Sequence, residues 1–156
     1  MMTAERVLGL VGALEGLGVW VDGGWGVDAL VGRQTRVHGD LDLGVVRDEL
    51  ERVVGVLNRL GYEVTDARYP DVTLQLTHVA EGHRVDLHPS TAVDGGTEQV
   101  DFDGDVRVIP PAVEGWIGGV KVRCMPVEAQ RRARQGYVLR AQDHHDLRLL
   151  DALEQD

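Results

Sequence analysis

A single cysteine, Cys124, stands in the 156 residues, so no disulfide can close within the chain and the fold does not depend on an oxidising compartment. A cytoplasmic setting is expected. Basic residues are scarce beside acidic ones, 16 Lys and Arg against 26 Asp and Glu, a formal net charge of −10. Duplex nucleic acid is bound through a basic face that displaces counterions, so no nucleic-acid partner is expected. No apolar run approaches the roughly 18 residues of a membrane span, which excludes a spanning helix. Residues 1–18 lack a basic run and are interrupted by Gly and Glu, so they do not read as a signal peptide. Repeats, low-complexity tracts and linker-like shifts in composition are also missing. What is present is 43% apolar residues, enough for one hydrophobic core. One domain over residues 1–156 is expected, with a core to about residue 105 and a strand and helical portion beyond. An acidic chain of this kind suits a cationic small molecule or a metal-bound anion.

Val7, Leu8, Val11, Leu14 and Leu17 recur every three or four positions, which predicts a helix over 4–17. Residues 19–21 form a short buried strand that stops at Asp22, Gly23 and Gly24. A brief helix over 25–30 follows, with Gly32 as its left-handed stop, then a polar loop over 33–39. Residues 40–45 alternate polar and apolar with period two and predict a strand with one face in the core. Helical spacing returns over 47–60, with Gly61 just past its end. Residues 72–77 and 85–88 alternate about the turn Ala80, Glu81, Gly82, which predicts a hairpin with one oily and one polar face. Gly95, Gly96, Pro110, Pro111, Gly118 and Gly119 mark 89–119 as loop-rich. A strand over 120–124, a helix from Pro126 to about 135 and a last helix carrying Leu139, Leu147, Leu149 and Leu150 complete an α/β (α+β) pattern. Its small mixed sheet carries helices on the oily face.

Asp40 and Asp42 leave the same face of their strand, with Cα atoms about 6.6 Å apart at the usual rise of a strand. Two carboxylates so placed repel unless a cation lies between them. Taken alone, Asp-x-Asp is most often a solvated strand face. A third acid, Asp86, lies on the polar face of another strand, with Arg84 and His88. Three acids on one sheet face suit two Mg²⁺ ions about 3.5–4 Å apart, clamping an in-line displacement at phosphorus. Gly23 and Gly24 lie between a strand and a helix, where residues without Cβ let backbone N–H groups approach a phosphate. This is the order of parts that a nucleotide-transferring site requires.

Two other patterns fail on the same residues. Gly24, Gly26 and Ala29 fit a loose dinucleotide fingerprint, but there the acid ends its strand, whereas Leu43, Val45 and Val46 follow the acids here. A calcium loop from Asp40 to Glu51 has Val45 at its sixth position, where Gly is needed. Around the acids, Arg33 and Arg36 are candidates for triphosphate contacts, or else solvated cations. His38 either sits near the nucleotide or caps its loop. Alternation puts His83 on the face opposite Asp86, while His88 either orients Asp86 or the acceptor or is an ordinary surface residue. His144 and His145 read as a solvated helix face, Trp25 and Trp116 as core, and Cys124 as a buried strand residue.

The runs Val21-Asp22-Gly23-Gly24-Trp25-Gly26-Val27-Asp28-Ala29-Leu30, Gly32-Arg33-Gln34-Thr35-Arg36, His38-Gly39-Asp40-Leu41-Asp42-Leu43 and Arg84-Val85-Asp86-Leu87-His88-Pro89 resemble antibiotic nucleotidyltransferases of the polymerase-beta-like superfamily. The likeness is strongest to short lincosamide nucleotidyltransferases and aminoglycoside 2''-adenylyltransferases. It continues more loosely at Gly115-Trp116-Ile117 and at Gly136-Tyr137-Val138-Leu139-Arg140, followed by Asp143, Asp146 and Leu147. The resemblance implies a nucleotidyltransferase fold, with helices on one sheet face and the carboxylate triad on the other. It implies that Asp40, Asp42 and Asp86 are both catalytic and metal-holding, Asp86 also serving as base. Gly23, Gly24, Arg33, Arg36 and His38 would hold the nucleotide. AMP would pass from Mg-ATP to a drug hydroxyl, releasing pyrophosphate. Arg131-Arg132-Ala133-Arg134-Gln135 departs from the lincosamide branch, where a His is expected, and leaves the acceptor open. An acidic cleft wall of Glu98, Asp101 and Asp143 would draw a cationic acceptor, and a homodimer would enclose the two substrates. The alternatives are a minimal nucleotidyltransferase that modifies a protein or tRNA, and a non-catalytic regulatory copy, against which the intact triad stands.

Overall fold

Each periodic stretch becomes an element of the computed structural model, which describes residues 1–155. The chain runs α1 (Ala4–Ala13), β1 (Val19–Val21), α2 (Gly23–Val31), β2 (Asp40–Val46), α3 (Leu50–Arg59), β3 (Tyr62–Asp66), β4 (Leu74–His78), β5 (Arg84–Val93), β6 (Gly96–Val100), β7 (Val106–Ile109), β8 (Val113–Ile117), β9 (Val120–Cys124), α4 (Val127–Arg132) and α5 (Ala141–Glu154). Strands β3-β4-β5-β2-β1-β9-β8 lie side by side, and β6 and β7 extend the far end of β5. The sheet is mixed: β2 is parallel to β5 and β9 to β1, while the other neighbours run antiparallel.

Alternation decides which face of β2 meets the core. Leu41, Leu43 and Val45 are fully buried with Val85 and Leu87 of β5, under Val7 and Leu10 of α1 and Leu14 just past its end, Trp25 and Ala29 of α2, and Val53 and Leu57 of α3. Each such side chain contributes about 1.5–3 kcal/mol on leaving water. Asp40, Asp42 and Gly44 therefore turn to the opposite face. There Trp20 packs with Ile109, Met125 and Ala129 in a smaller cluster. Its indole lies over Gly44, where a Cβ would come within 2.0 Å of the ring.

Several boundaries differ from the sequence expectation. Helix α1 ends at Ala13, since Gly16 and Gly18 reverse the chain at φ +82° and +65°. Helix α2 starts earlier than expected, at Gly23, and stops at Gly32 with φ +88° as expected. Residues 89–119 are largely strand: β5 runs on to Val93, and β6, β7 and β8 follow. The Gly and Pro residues there punctuate hairpins, and in the short strands between them many apolar side chains are exposed, so they show no continuous buried face. Strand β3 went unpredicted because Tyr62 is its only buried residue. Helix α4 is shorter than expected, and α5 begins after Leu139, beyond the left-handed Gly136. Helices α4 and α5 pack on each other and on α2, so the helices are not confined to the oily face. Trp25 is core as expected, but Trp116 is 45% exposed on the outer face of β8, with the Lys121 ammonium 5.8 Å from its ring centre. Cys124 is buried. Among the described residues no helix is long and apolar enough to cross a membrane.

Candidate active site

The parallel register of β2 and β5 sets Asp42 beside Asp86, Asp40 beside Arg84, and Gly44 beside His88. Three acids from segments far apart in sequence thus share one patch of the polar sheet face, at the floor of a cleft of about 380 Å³. Arg84 lies among them. Its Nη2 donates to Asp40 Oδ2 at 2.7 Å and to Asp86 Oδ2 at 3.4 Å. Its Nε stands 3.3 Å from Asp86 Oδ1, but off the line that a hydrogen bond needs, and both atoms are buried without a hydrogen-bond partner.

Electrostatics divide the acids. Burial and the charges of Asp42 and Asp40 raise the pKa of Asp86 against the pull of Arg84 and His88. Burial works the same way on Asp42, but the hydrogen bond and charge of His88, with Arg84 and Arg134, outweigh it and hold Asp42 below the usual carboxylate range. His88 Nε2 lies 2.9 Å from Asp42 Oδ1. Burial opposes its protonation, yet Asp42, Asp22 and Asp86 together push it up to about 9. His88 is thus an imidazolium that orients Asp42, and not Asp86. A fourth acid, Asp22, is raised to about 7 by burial, with the charge of Asp42 adding to it against His88, and its Oδ1 is unpartnered.

The glycine pair opens α2. Asp22 precedes the helix without capping it through its side chain, so the first N–H groups of α2 remain free at the positive end of the helix dipole. Gly23 has φ +59°, and a Cβ there would lie 2.3 Å from Asp42 Oδ2. A Cβ on Gly24 would lie 2.3 Å from Arg36 Nη2 and 2.7 Å from His38 Nδ1. Bare backbone is required at both positions, because Asp42 presses on Gly23, and Arg36 and His38 on Gly24, at the start of α2. Free N–H groups at such a helix start are suited to an anion.

Arg36 and His38 come to the cleft as expected, whereas Arg33 is exposed and outside its lining. Arg36 makes two bonds to Asp146, each 3.1 Å. Arg134 reaches the same carboxylate at 2.9 Å and also bonds Gln130 Oε1 at 2.7 Å, while Gln130 Nε2 donates to Gly23 O at 3.2 Å. Two guanidiniums share one carboxylate, which leaves a positive charge beside Gly24. The sequence reading missed Asp22, Gln130, Arg134 and Asp146 as cleft residues. Arg134 lay in the basic run that departs from the lincosamide branch, and that run was its only signal.

The expected acidic wall does not form. Glu98 and Asp101 lie outside the cleft lining, and Asp101 is paired with Arg107 at 3.0 Å. Asp143 does line the cleft, but it accepts from the Arg140 backbone N–H at 2.8 Å and pairs with the Arg140 Nε at 3.1 Å. His83 faces the core side as expected, against Tyr62 and Arg6. His144 is exposed, whereas His145 meets Thr35 Oγ1 at 3.0 Å.

Among the described residues no group of three or more His, Cys, Asp and Glu side chains is arranged as a ready metal cage. Asp40 and Asp86 close on the guanidinium of Arg84, a single cation whose side chain is 43% exposed. The donor set is nonetheless all carboxylate oxygen, with Asp86 Oδ1 buried and unpartnered, which fits a hard divalent cation.

A family model described as aminoglycoside-2''-adenylyltransferase matches residues 7–150. A lincosamide resistance protein of Staphylococcus haemolyticus is 31% identical over 140 residues, which are 86% of this chain and 84% of that protein. A 2''-aminoglycoside nucleotidyltransferase of Escherichia coli is 34% identical over 116 residues, 72% of this chain but 60% of its own length. The crystal structure of a lincosamide antibiotic adenylyltransferase bound to lincomycin superposes with a TM-score of 0.83 at 29% identity, covering 97% of this chain and 98% of that one.

Proposed function

The chain belongs to the aminoglycoside-2''-adenylyltransferase family and by that membership is a nucleotidyltransferase, and from this premise we propose that it moves AMP from Mg-ATP to a hydroxyl of a small antibiotic, releasing pyrophosphate. The observation that carries the reading is the meeting of Asp42 and Asp86 across β2 and β5 directly beside the uncapped start of α2. Triphosphate oxygens are received by the N–H groups of that helix and by Arg36 and Arg134, which bring more positive charge than Asp146 cancels. His88 holds Asp42 in place. Asp40, Asp42 and Asp86 hold Mg²⁺, taken as two ions, which when bound offsets charge on the reacting phosphate and makes the acceptor hydroxyl more acidic. Asp86, its pKa raised and its Oδ1 free of hydrogen bonds, accepts the hydroxyl proton. The acceptor oxygen then bonds to the α-phosphorus as the bond to the β-phosphate oxygen breaks.

The C-terminal wall of the cleft is short of free negative charge for an acceptor. Asp143 is taken by Arg140, and Asp146 by Arg36 and Arg134. A polycationic aminoglycoside would find few partners there, so a lincosamide with its single amine is the favoured acceptor. The reaction belongs in the cytoplasm, where nucleoside triphosphates are made and held. Incubation of a panel of lincosamides and aminoglycosides with the protein, ATP and Mg²⁺ should add one AMP to a lincosamide by mass spectrometry. No product on any drug, with label appearing on protein or tRNA, would overturn the small-acceptor reading.

A cleft of about 380 Å³ is near the lower end of the roughly 300–1,000 Å³ that encloses one ligand, and two substrates must meet in it. A homodimer whose second copy closes the cleft answers that need. Light scattering should then give twice the 17.1 kDa of the chain, and a monomer in the presence of both substrates would refute it.

A further inference from the structure

Asp28 is the only acid within α2, is 1% exposed, and takes no part in the chemistry above. Both of its oxygens are committed to the loop over residues 33–39. Oδ2 lies 2.6 Å from His38 Nε2, and Oδ1 accepts from Thr35 Oγ1. The His38 ring is also packed on Trp25, with centroids 4.6 Å apart, and its backbone oxygen accepts from the Met2 N–H at 2.9 Å. Burial would raise the pKa of Asp28, but the hydrogen bonds from His38 and Thr35 outweigh it and keep the group ionised.

With Nε2 engaged by Asp28, the ring nitrogen left for the cleft is Nδ1. It stands beside Gly24 together with Arg36 Nη2, the two lying 2.7 Å and 2.3 Å from the place a Gly24 Cβ would occupy. Asp146 holds the Arg36 guanidinium from the α5 side, but a loop of this length would otherwise let the histidine and the Arg36 backbone wander. Here a buried carboxylate on a rigid helix grips it from behind, and the grip is costly to break because an unpaired buried charge would remain.

We propose that Asp28 is a positioning residue for the donor nucleotide: through Thr35 and His38 it fixes the 33–39 loop so that His38 Nδ1 and the Arg36 guanidinium stand together at Gly24, where the triphosphate arrives. The inference rests on the donor reading given under the proposed function. Residues that orient a binding group from behind alter its performance by about 10–100-fold when removed.

The test compares equilibrium binding of ATP and of AMP, with steady-state kinetics, in the wild type, Asp28→Asn, His38→Gln and the double variant. Asp28→Asn should weaken ATP about tenfold and AMP less than about twofold, raising KM for ATP with kcat little changed. The double variant should be no weaker than the weaker single variant, because the two residues act as one unit. Equal losses on ATP and AMP together with a lowered Tm, or losses that multiply in the double variant, would overturn the inference. Should Asp28→Asn not fold, Thr35→Ala frees one carboxylate oxygen from a half-buried position and should weaken ATP selectively by a few-fold; unchanged ATP binding there overturns it too. A wild type that binds no ATP removes the donor reading and this inference with it, whereas ATP binding by the wild type that is untouched in the variants removes this inference alone.

Discussion

Asp42→Asn is expected to abolish nucleotidyl transfer, lowering kcat by roughly 10³-fold or more, in a protein that still melts cooperatively. The substitution changes charge and hardly changes volume. Asp42 sits beside Asp86 in register and within range of Asp40 and Asp22, so neutralising it relieves repulsion among clustered acids. It also takes from His88 the carboxylate that holds the imidazolium. These changes oppose each other in stability and leave a small net effect. In chemistry they act together. The site loses a third of the negative charge available to a cation. Asp86, relieved of the Asp42 charge though still raised by burial and by Asp40, shifts downward and becomes a weaker base. Transfer assays set against thermal melts check both halves of the expectation, and a variant keeping more than about a tenth of wild-type turnover would remove Asp42 from the chemistry.

Gly23→Ala should fail differently, losing stability as well as turnover. Its φ of +59° is a left-handed conformation that costs a residue with a Cβ about 1–2 kcal/mol. The added carbon would also meet Asp42 Oδ2 at 2.3 Å and the Asp42 Cβ at 3.0 Å, so Asp42 must move. A Tm lowered by roughly 4–8 °C is expected for about 2 kcal/mol in a chain of this size. A misplacement of about 1 Å in a catalytic group is worth on the order of 10²-fold in rate, and kcat should fall by at least that much. Gly23→Ala with wild-type activity would show that the close contact between the start of α2 and the acid face is incidental.

The acid face was legible in the sequence because strand periodicity fixes which side chains share a face, and Asp40, Asp42 and Asp86 each sit opposite apolar neighbours. Register is another matter. Alternation puts His88 on the face of Asp86, yet only the pairing of Gly44 with His88 reveals that the imidazole reaches Asp42. The hairpin strands β6 and β7 escaped notice because β6 is mostly polar and half-buried throughout, while the valines of β7 face solvent and only Ile109 is buried, so neither presents an oily stripe to a core. Asp146 lies on α5 and Arg134 just past the end of α4, both helices packing against α2, and nothing in local spacing records a contact 110 residues away. Asp28 was visible only as part of a motif, since a buried acid in a helix has no signature of its own until its partners are seen.

The bridge from Arg36 to Asp146 also sets a schedule. During synthesis at about 5–20 residues per second, the 110 residues between them take roughly 5–20 s to make. The acid face can pair as soon as β5 has emerged, but Arg36 has no carboxylate to lean on until α5 is made and docked. On the function proposed above, the seat for the nucleotide is therefore completed late. A newborn chain then holds its acid face for several seconds before the carboxylate that seats Arg36 has been made.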